Sequence, residues 1–403
     1  MSLSEHERRS GYANEPPFAF RRGFGSCIED SAGRTYIDLT SGWNVVNAGW
    51  SNPVIGENWL DTIGRATFRP SWCEDEGTAN LRQALARAAP GRTPIFSCSG
   101  SEAIDNAIKI ARIVTGLPGI FCIEGSYHGS GTGASQATGY DVPHRAPLAQ
   151  EEMSVRLPLP TEEGAVERAE ALIREFEPGG AIVYETVVTN MGCRTMPADY
   201  LAMLGRVADE LGIVLICDEI GTGINRLGAL FSSLGEGGLA PDIIVSGKAL
   251  TNGLYPMSAC LVKDRMMRHF ETGQFASTYA AMPAGCAAAL ATLSLHEQTM
   301  LGTTALANGR TLAVLAEKHL LDIDGVTALA GAGMERALHL DWRILSARGL
   351  GPYSMLSALR EAGVFATLSP GESHLMMTPP LTIGEEQLAQ ATGAIAATLK
   401  DPG

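Results

Sequence analysis

Apolar residues recur in two rhythms through the middle of the chain. Short apolar runs at Pro94–Cys98, Gly119–Glu124, Ala181–Glu185, Ile213–Cys217, Ile243–Ser246 and Ser258–Val262 have the length and composition of buried strands. Helical spacing marks Thr78–Ala89, Glu102–Arg112, Val166–Phe176 and Asp199–Leu211. In Glu102–Arg112, for example, Ile104, Ala107, Ile108 and Ala111 share one face. The alternation from Pro94 onward predicts an α/β fold, a mostly parallel sheet with helices on both faces. Ala281–Leu295 reads as a long Ala-rich helix leading out of that domain. Before Val54 the pattern breaks into short strand-like pieces with turns, such as Arg34-Thr35-Tyr36-Ile37-Asp38-Leu39 after Ala32-Gly33. The tail, from about Thr304, mixes helices with short strands. It reads as a smaller α+β domain completed by the N-terminal segment. The divisions are 1–60, 61–295 and 296–403.

Composition narrows the function classes. Of 403 residues, 45% are apolar and 18% charged, enough to bury a substantial core. A net charge of −14 argues against a nucleic-acid surface, though not against a local cationic pocket. The eight cysteines form no C-x-x-C pair and several lie in strand-like runs, which suggests core thiols and a reducing cytoplasm. The histidines show no ligand spacing, so no metal is expected. The polar stretch MSLSEHERRSGYANEPP lacks the apolar core of a signal peptide, and no run approaches the ~20 apolar residues of a membrane span.

Two predicted strand ends carry candidate chemistry. Asp218 follows Ile213–Cys217, and Lys248 closely follows Ile243–Ser246. Strand ends of open α/β sheets line the ligand crevice. A lysine there can form a Schiff base with a carbonyl cofactor, and a carboxylate can hold a pyridinium nitrogen. Together they suggest pyridoxal phosphate. Either residue alone would read as a solvated charge.

Ser99, Gly100 and Ser101 join a predicted strand to a predicted helix. Ser101 is a plausible N-cap, Gly100 admits a ligand close to backbone, and a helix N-terminus favours an anion. In isolation this is an ordinary capped helix. Tyr127 could stack on a flat ring and His128 lies beside it, but singly they read as packing and a satisfied polar group. Glu185 ends another strand and reads equally as a salt-bridged carboxylate. Ser277 and Thr278 could reach a phosphate or simply cap the Ala-rich helix.

In this order the pieces resemble the class III (omega) aminotransferases, a branch of the fold-type I pyridoxal-phosphate enzymes. The resemblance covers nearly the whole chain. It runs from Asp30-Ser31-Ala32-Gly33-Arg34-Thr35-Tyr36-Ile37-Asp38 through Ser99-Gly100-Ser101-Glu102-Ala103, Tyr127-His128-Gly129, Asp218-Glu219-Ile220, Pro241 to Lys248 and Ser277-Thr278-Tyr279 to Pro379-Pro380-Leu381. It implies that Lys248 carries the cofactor as a Schiff base and then shuttles the proton. Asp218 would pair with the ring nitrogen, while Gly100 and Ser101 bind the phosphate. Tyr127 would stack on one ring face and Ile220 pack behind the other. Thr278 would reach the phosphate of the neighbouring subunit, so a homodimer with shared sites is implied. Glu185 matches the glutamate of the family's Glu-Pro motif, with Thr186 in place of proline.

Several departures bear on the substrate. The family often places a carboxylate-binding arginine where Met376 stands, three residues before the Pro-Pro pair, so a bidentate clamp is missing there. A longer side chain often replaces Gly221. Thr189-Asn190-Met191-Gly192 resembles the Gly-Asn-Met-Gly stretch of glutamate-1-semialdehyde aminomutases, which makes an intramolecular amino shift the rival reaction. Trp43, beside Asn44, and Trp72 are candidate walls of the substrate pocket, or structural residues. The expected activity is amino transfer from an unidentified amine donor to a carbonyl acceptor; a pyridoxal-phosphate-binding protein without turnover is a further alternative.

Overall fold

The computed structural model describes residues 18–140, 151–271, 273–370 and 373–401. The N-terminal reading of the polar leader therefore lies outside the described residues. The described chain opens with an antiparallel meander of β1 (Phe20–Phe24), β2 (Cys27–Asp30) and β3 (Thr35–Asp38). Asp30 closes the intervening turn by accepting from the Ala32 and Arg34 amides and from the Tyr36 hydroxyl.

The large sheet is built from β4 (Arg92–Ser97), β5 (Gly119–Ile123), β6 (Ser154–Leu157) and β7 (Gly179–Tyr184). A small ribbon follows, β8 (Val187–Val188) and β9 (Arg194–Thr195). Then come β10 (Val214–Asp218), β11 (Ile243–Ser246) and β12 (Ser258–Lys263). The order is β4-β12-β11-β10-β7-β5-β6, parallel throughout except for β12, which runs antiparallel to both neighbours. Strands β5, β7, β10 and β11 are buried at every position, as a sheet covered on both faces requires.

Alternation along the strands sorts the two faces. Ile120, Ala181, Val183, Val214 and Ile216 pack with the helix Gly100–Thr115. Phe121, Ile182, Tyr184 and Leu215 pack with the helices Ala165–Glu175 and Ala198–Leu211. The mostly parallel α/β sheet is thus as its sequence pattern predicts. Strand β6 escapes that reading because Ser154-Val155-Arg156-Leu157 is a half-polar edge segment with no apolar run.

The smaller unit is discontinuous in sequence. After the helices Pro283–Gln298 and Leu301–His319 come β13 (Val326–Ala332), β14 (Glu335–Leu340), β15 (Val364–Phe365), β16 (His374–Met377) and the helix Glu385–Lys400. Strand β15 pairs parallel with β3, extending the N-terminal meander. One core joins Ile37, Leu39 and Ile55 to Leu312, Leu338, Val364, Leu375 and Ile395. The Ala-rich helix Pro283–Gln298 bridges the units: Cys286 and Ala289 belong to a large-sheet core, Ala288 and Ala291 to the smaller one. Its small side chains let structure approach on opposite sides. All eight cysteines are free thiols. Among the described residues no helix is long and apolar enough to cross a membrane.

Candidate active site

The parallel strands deliver their polar ends to one edge. Asp218 pairs in register with Val245, so Lys248 emerges beside it. Tyr184 is level with Cys217, which brings Glu185 to the same edge. The loop after β5 adds Tyr127 and His128, and the turn after β4 adds Ser99, Gly100 and Ser101.

Asp218 and His128 form a buried pair, with His128 Nδ1 2.8 Å from Asp218 Oδ2. Burial alone would lower the His128 pKa, but the hydrogen bond and charge of Asp218 outweigh it and the value is raised. Asp218 also accepts from the Ile220 amide at 2.9 Å, which fixes the carboxylate in the strand end. Its neighbour Glu219 faces away and is bound by the Ser232 and Ser233 amides. His128 thus holds Asp218, a role that its sequence position alone did not reveal.

Glu185 is the third buried acid. Desolvation raises its pKa to about 7, with the charges of His128 and Lys248 pulling downward and Asp218 upward. Its Oε1 has no hydrogen-bond partner among the described residues. From the ordinary value of 4.5 up to about 7, the folded chain binds the Glu185 proton and the unfolded chain does not. This contribution therefore favours the fold at low pH and is lost as pH rises through about 7, on the order of 3 kcal/mol. Glu185→Gln in the cofactor-free protein is expected to raise the melting temperature at pH 8 and flatten its decline between pH 5 and 8. Thermal scans across that range check this, and an unchanged slope would refute the assignment.

The candidate phosphate cradle differs in one detail from its expected form. Ser99, not Ser101, caps the helix Gly100–Thr115, accepting from the Glu102 amide at 3.2 Å. Glu102 in turn accepts from the Cys98 amide at 2.8 Å. With the Ser99 cap in place the helix starts at Gly100, ahead of the expected Glu102. Ser101 sits in the first turn, its hydroxyl accepting from the Ser130 amide at 3.1 Å. First-turn N–H groups have no helical acceptor and suit an anion. Ile220 presses on this turn: a Cβ on Gly100 would lie 2.8 Å from Ile220 Cδ1. Ile220 also lies against Gly247, so it spans the space between cradle and lysine. Tyr127 is 45% exposed. Ser277 hydrogen-bonds Cys98 beside the cradle, whereas Thr278 is exposed.

Lys248 adopts a left-handed backbone conformation, φ 42°, a strained choice for a non-glycine residue. Its side chain is exposed within the single chain. A Cβ built on Gly221 would lie 3.8 Å from Lys248 Nζ, 3.6 Å from Asn44 Nδ2 and 3.9 Å from Thr189 Oγ1. The amine therefore faces a space bordered by both segments. Its charge also acts on buried Glu185 and Glu335.

Asn44 arrives there on a second strained turn. Ser41, Gly42, Trp43 and Asn44 all have positive φ, 44°, 62°, 65° and 62°. At ~1–2 kcal/mol per non-glycine residue, such a left-handed turn needs firm anchors. Thr40 O accepts from the Trp43 and Asn44 amides, and Ser41 Oγ donates to Thr378 O at 2.8 Å. Fully buried Arg226 donates to Ser41 Oγ and Asn47 Oδ1. Its pKa is pulled down by burial to about 10, which leaves it charged at neutral pH. Asn44 Nδ2 donates to Glu335 Oε2 at 2.7 Å.

Sequence reasoning missed Glu335 and Arg226. A carboxylate opening a strand reads as solvent-facing, and only the packing of β14 shows Glu335 to be fully buried. Met376 is buried with Val187, Cys193 and Ala337, so an apolar cluster fills the position where a clamp arginine was sought. Trp43, half-buried, belongs to the strained turn beside Asn44. Trp72 is 84% exposed, on the same stretch as Phe68, whose ring meets Tyr279 edge-on. Gly192 closes the Thr189–Met191 turn: φ is 71°, and a Cβ would lie 2.2 Å from the His374 ring.

These residues fit pyridoxal phosphate: an amine on a strained backbone, a buried acid for the ring nitrogen and a capped helix start for the phosphate. Fold and site define a fold-type I pyridoxal-phosphate transferase. Residues 10–399 match the Aminotransferase class-III family, and the chain belongs to it. Its cofactor is pyridoxal 5'-phosphate and its reaction is amino transfer. The chain is 29% identical to the acetylornithine aminotransferase of Methanothermobacter thermautotrophicus, over 96% of this chain and 94% of that relative. It is 28% identical to the 4-aminobutyrate aminotransferase of Mycobacterium tuberculosis, over 96% and 91%. A transaminase from directed evolution by ancestral reconstruction superposes with a TM-score of 0.89 at 25% identity, covering 99% of this chain and 95% of its own. The ornithine aminotransferase of Toxoplasma gondii shares the fold, with a TM-score of 0.87 at 21% identity over 98% and 94%.

Proposed function

We propose that Lys248 is the catalytic amine of this aminotransferase, with Asp218 the partner of the ring nitrogen. The observation that carries this is the register of β10 and β11, which sets the buried Asp218–His128 pair beside Lys248 at one sheet edge. When bound, pyridoxal phosphate supplies the carbonyl that accepts the donor nitrogen and the conjugated ring that spreads carbanion charge. Lys248 would hold the cofactor through its Nζ, and once freed that Nζ would take the proton from the donor carbon and deliver it within the same half-reaction. Asp218, fixed by His128 and the Ile220 amide, keeps an anion against the pyridine nitrogen. Ser99, Gly100 and Ser101 anchor the phosphate, with Ile220 and Tyr127 bounding the ring.

The donor carries its reacting amine away from any clamped carboxylate, because Met376 and its neighbours are apolar. The acceptor is a small carbonyl compound. The division between large and small units falls near Leu60 and Leu295. Two copies associate, covering the exposed Phe68, Trp72 and Tyr279 and carrying Thr278 to the partner's phosphate edge. The compartment is the cytoplasm, which suits eight free thiols.

The test is a half-reaction. Purified holoenzyme mixed with an amine panel should lose its visible cofactor band and release carbonyl products in matching amount. A cofactor-loaded protein that converts no donor would refute catalysis. Recharging the pyridoxamine form with a carbonyl compound separates the rival amino shift, which would yield an isomer of that compound and consume no separate acceptor. Size measurement should give the mass of a dimer; a monomer that retains full activity would refute the shared site.

A further inference from the structure

Resting on that reading, we propose that Asn44 and Glu335 recognise a second, positively charged amino group on the donor, making the enzyme selective for α,ω-diamines over amino acids. Asn44 borders the same space as the reacting amine, as the convergence of Asn44 Nδ2, Thr189 Oγ1 and Lys248 Nζ on Gly221 shows. Asn44 Nδ2 is committed to Glu335 Oε2, and this fixes the amide orientation, since the reverse would face two oxygens. Its Oδ1 is then a buried acceptor with no partner among the described residues, a state that costs about 1–3 kcal/mol until a donor arrives. An ammonium supplies such a donor.

Glu335 places negative charge behind that acceptor. Its Oε1 accepts from the weak Cys193 thiol donor, at 3.8 Å. Arg226 Nε stands 4.0 Å from Oε2 without a hydrogen bond, while both Arg226 Nη atoms are committed to Met334 O, Pro379 O, Ser41 and Asn47. Glu185 adds a second buried, unpartnered carboxylate oxygen within electrostatic reach of Lys248. Thr189 connects the two acids, its amide on Glu185 at 3.4 Å and its hydroxyl on Glu335. A substrate carboxylate entering here would meet the Glu335 side chain and an Asn44 amide already committed to it. A remote ammonium would gain a charge-assisted hydrogen bond to Asn44. Glu335 acts through Asn44 and is a positioning residue.

The transfer itself is ordinary. The reacting carbon loses its amino group and one hydrogen and leaves as an aldehyde. Its nitrogen and two electrons pass to the cofactor, the proton travels through Lys248, and water supplies the aldehyde oxygen.

The experiment uses holoenzyme in single turnover, read by cofactor absorbance. The donors are diaminobutane, its mono-acetyl derivative, butylamine and the four-carbon amino acid with a terminal amine. Diaminobutane should exceed the amino acid by about a hundredfold, and each uncharged analogue by about tenfold, in the second-order rate. Glu335→Gln should lower the ratio of diaminobutane to butylamine by about tenfold, a change that general loosening of the site would not produce. The wild-type donor series stands as a test should the variant fold poorly. Equal or faster conversion of the amino acid overturns the proposal, as does an unchanged ratio in folded Glu335→Gln. Butylamine conversion without any diamine advantage overturns the diamine reading and leaves amino transfer standing. No conversion of any donor overturns both.

Discussion

Lys248→Ala is expected to lower amino transfer by about ten-thousandfold, because one side chain supplies both the covalent anchor and the proton carrier. Single-turnover rates with any accepted donor measure the loss. Borohydride followed by peptide mass spectrometry should place the reduced adduct on Lys248 in the parent and find no adduct in the variant. The substitution does not remove the backbone strain, since alanine at φ 42° is no more at ease than lysine. Thermal stability of the cofactor-free variant should therefore change little through local conformation. A second readout follows from Glu185, whose proton affinity the Lys248 charge reduces. Removing that charge should push the Glu185 titration higher still. An adduct on another lysine, or retained turnover, would overturn the assignment of the reacting amine.

Asp218→Asn is expected to cost about a thousandfold in proton abstraction while the protein still takes up cofactor. The change keeps shape and removes the anion. Carbanion stabilisation depends on a protonated ring nitrogen, and a neutral amide holds that proton poorly. His128 provides the internal check. Its pKa is raised because the Asp218 hydrogen bond and charge outweigh burial. Without the carboxylate, burial dominates and His128 should become neutral at lower pH, visible as a shifted imidazole resonance. An unchanged rate would show that the ring nitrogen has another partner.

Much of the site could be read from residue order. Asp218 and Lys248 were legible because each follows an unbroken apolar run, and strand ends in such sheets face the crevice. The strand–glycine–helix turn was legible, though its capping residue was misplaced by two positions; Ser99 satisfies the Glu102 amide, and the Glu102 carboxylate satisfies the Cys98 amide. Met376 was legible as an absence of charge. Glu335 was not, because burial of an acid at the start of Glu335–Leu340 depends on contacts with Asn44 and Arg226, each more than a hundred residues away. The link between His128 and Asp218 was hidden for the same reason, with 90 residues between them.

What the chain determined by itself is local: where strands and helices run, which residues punctuate them and which chemistry lies at their ends. Those properties follow from periodicity, propensity and the chemistry of individual side chains. The tertiary structure alone decided which distant acids share an environment, that β15 closes against β3, and that a strained turn at residues 41–44 brings Asn44 to the space that the lysine borders. Such outcomes depend on long-range packing and on withdrawal of charge from water, and neither is encoded within a few neighbouring residues.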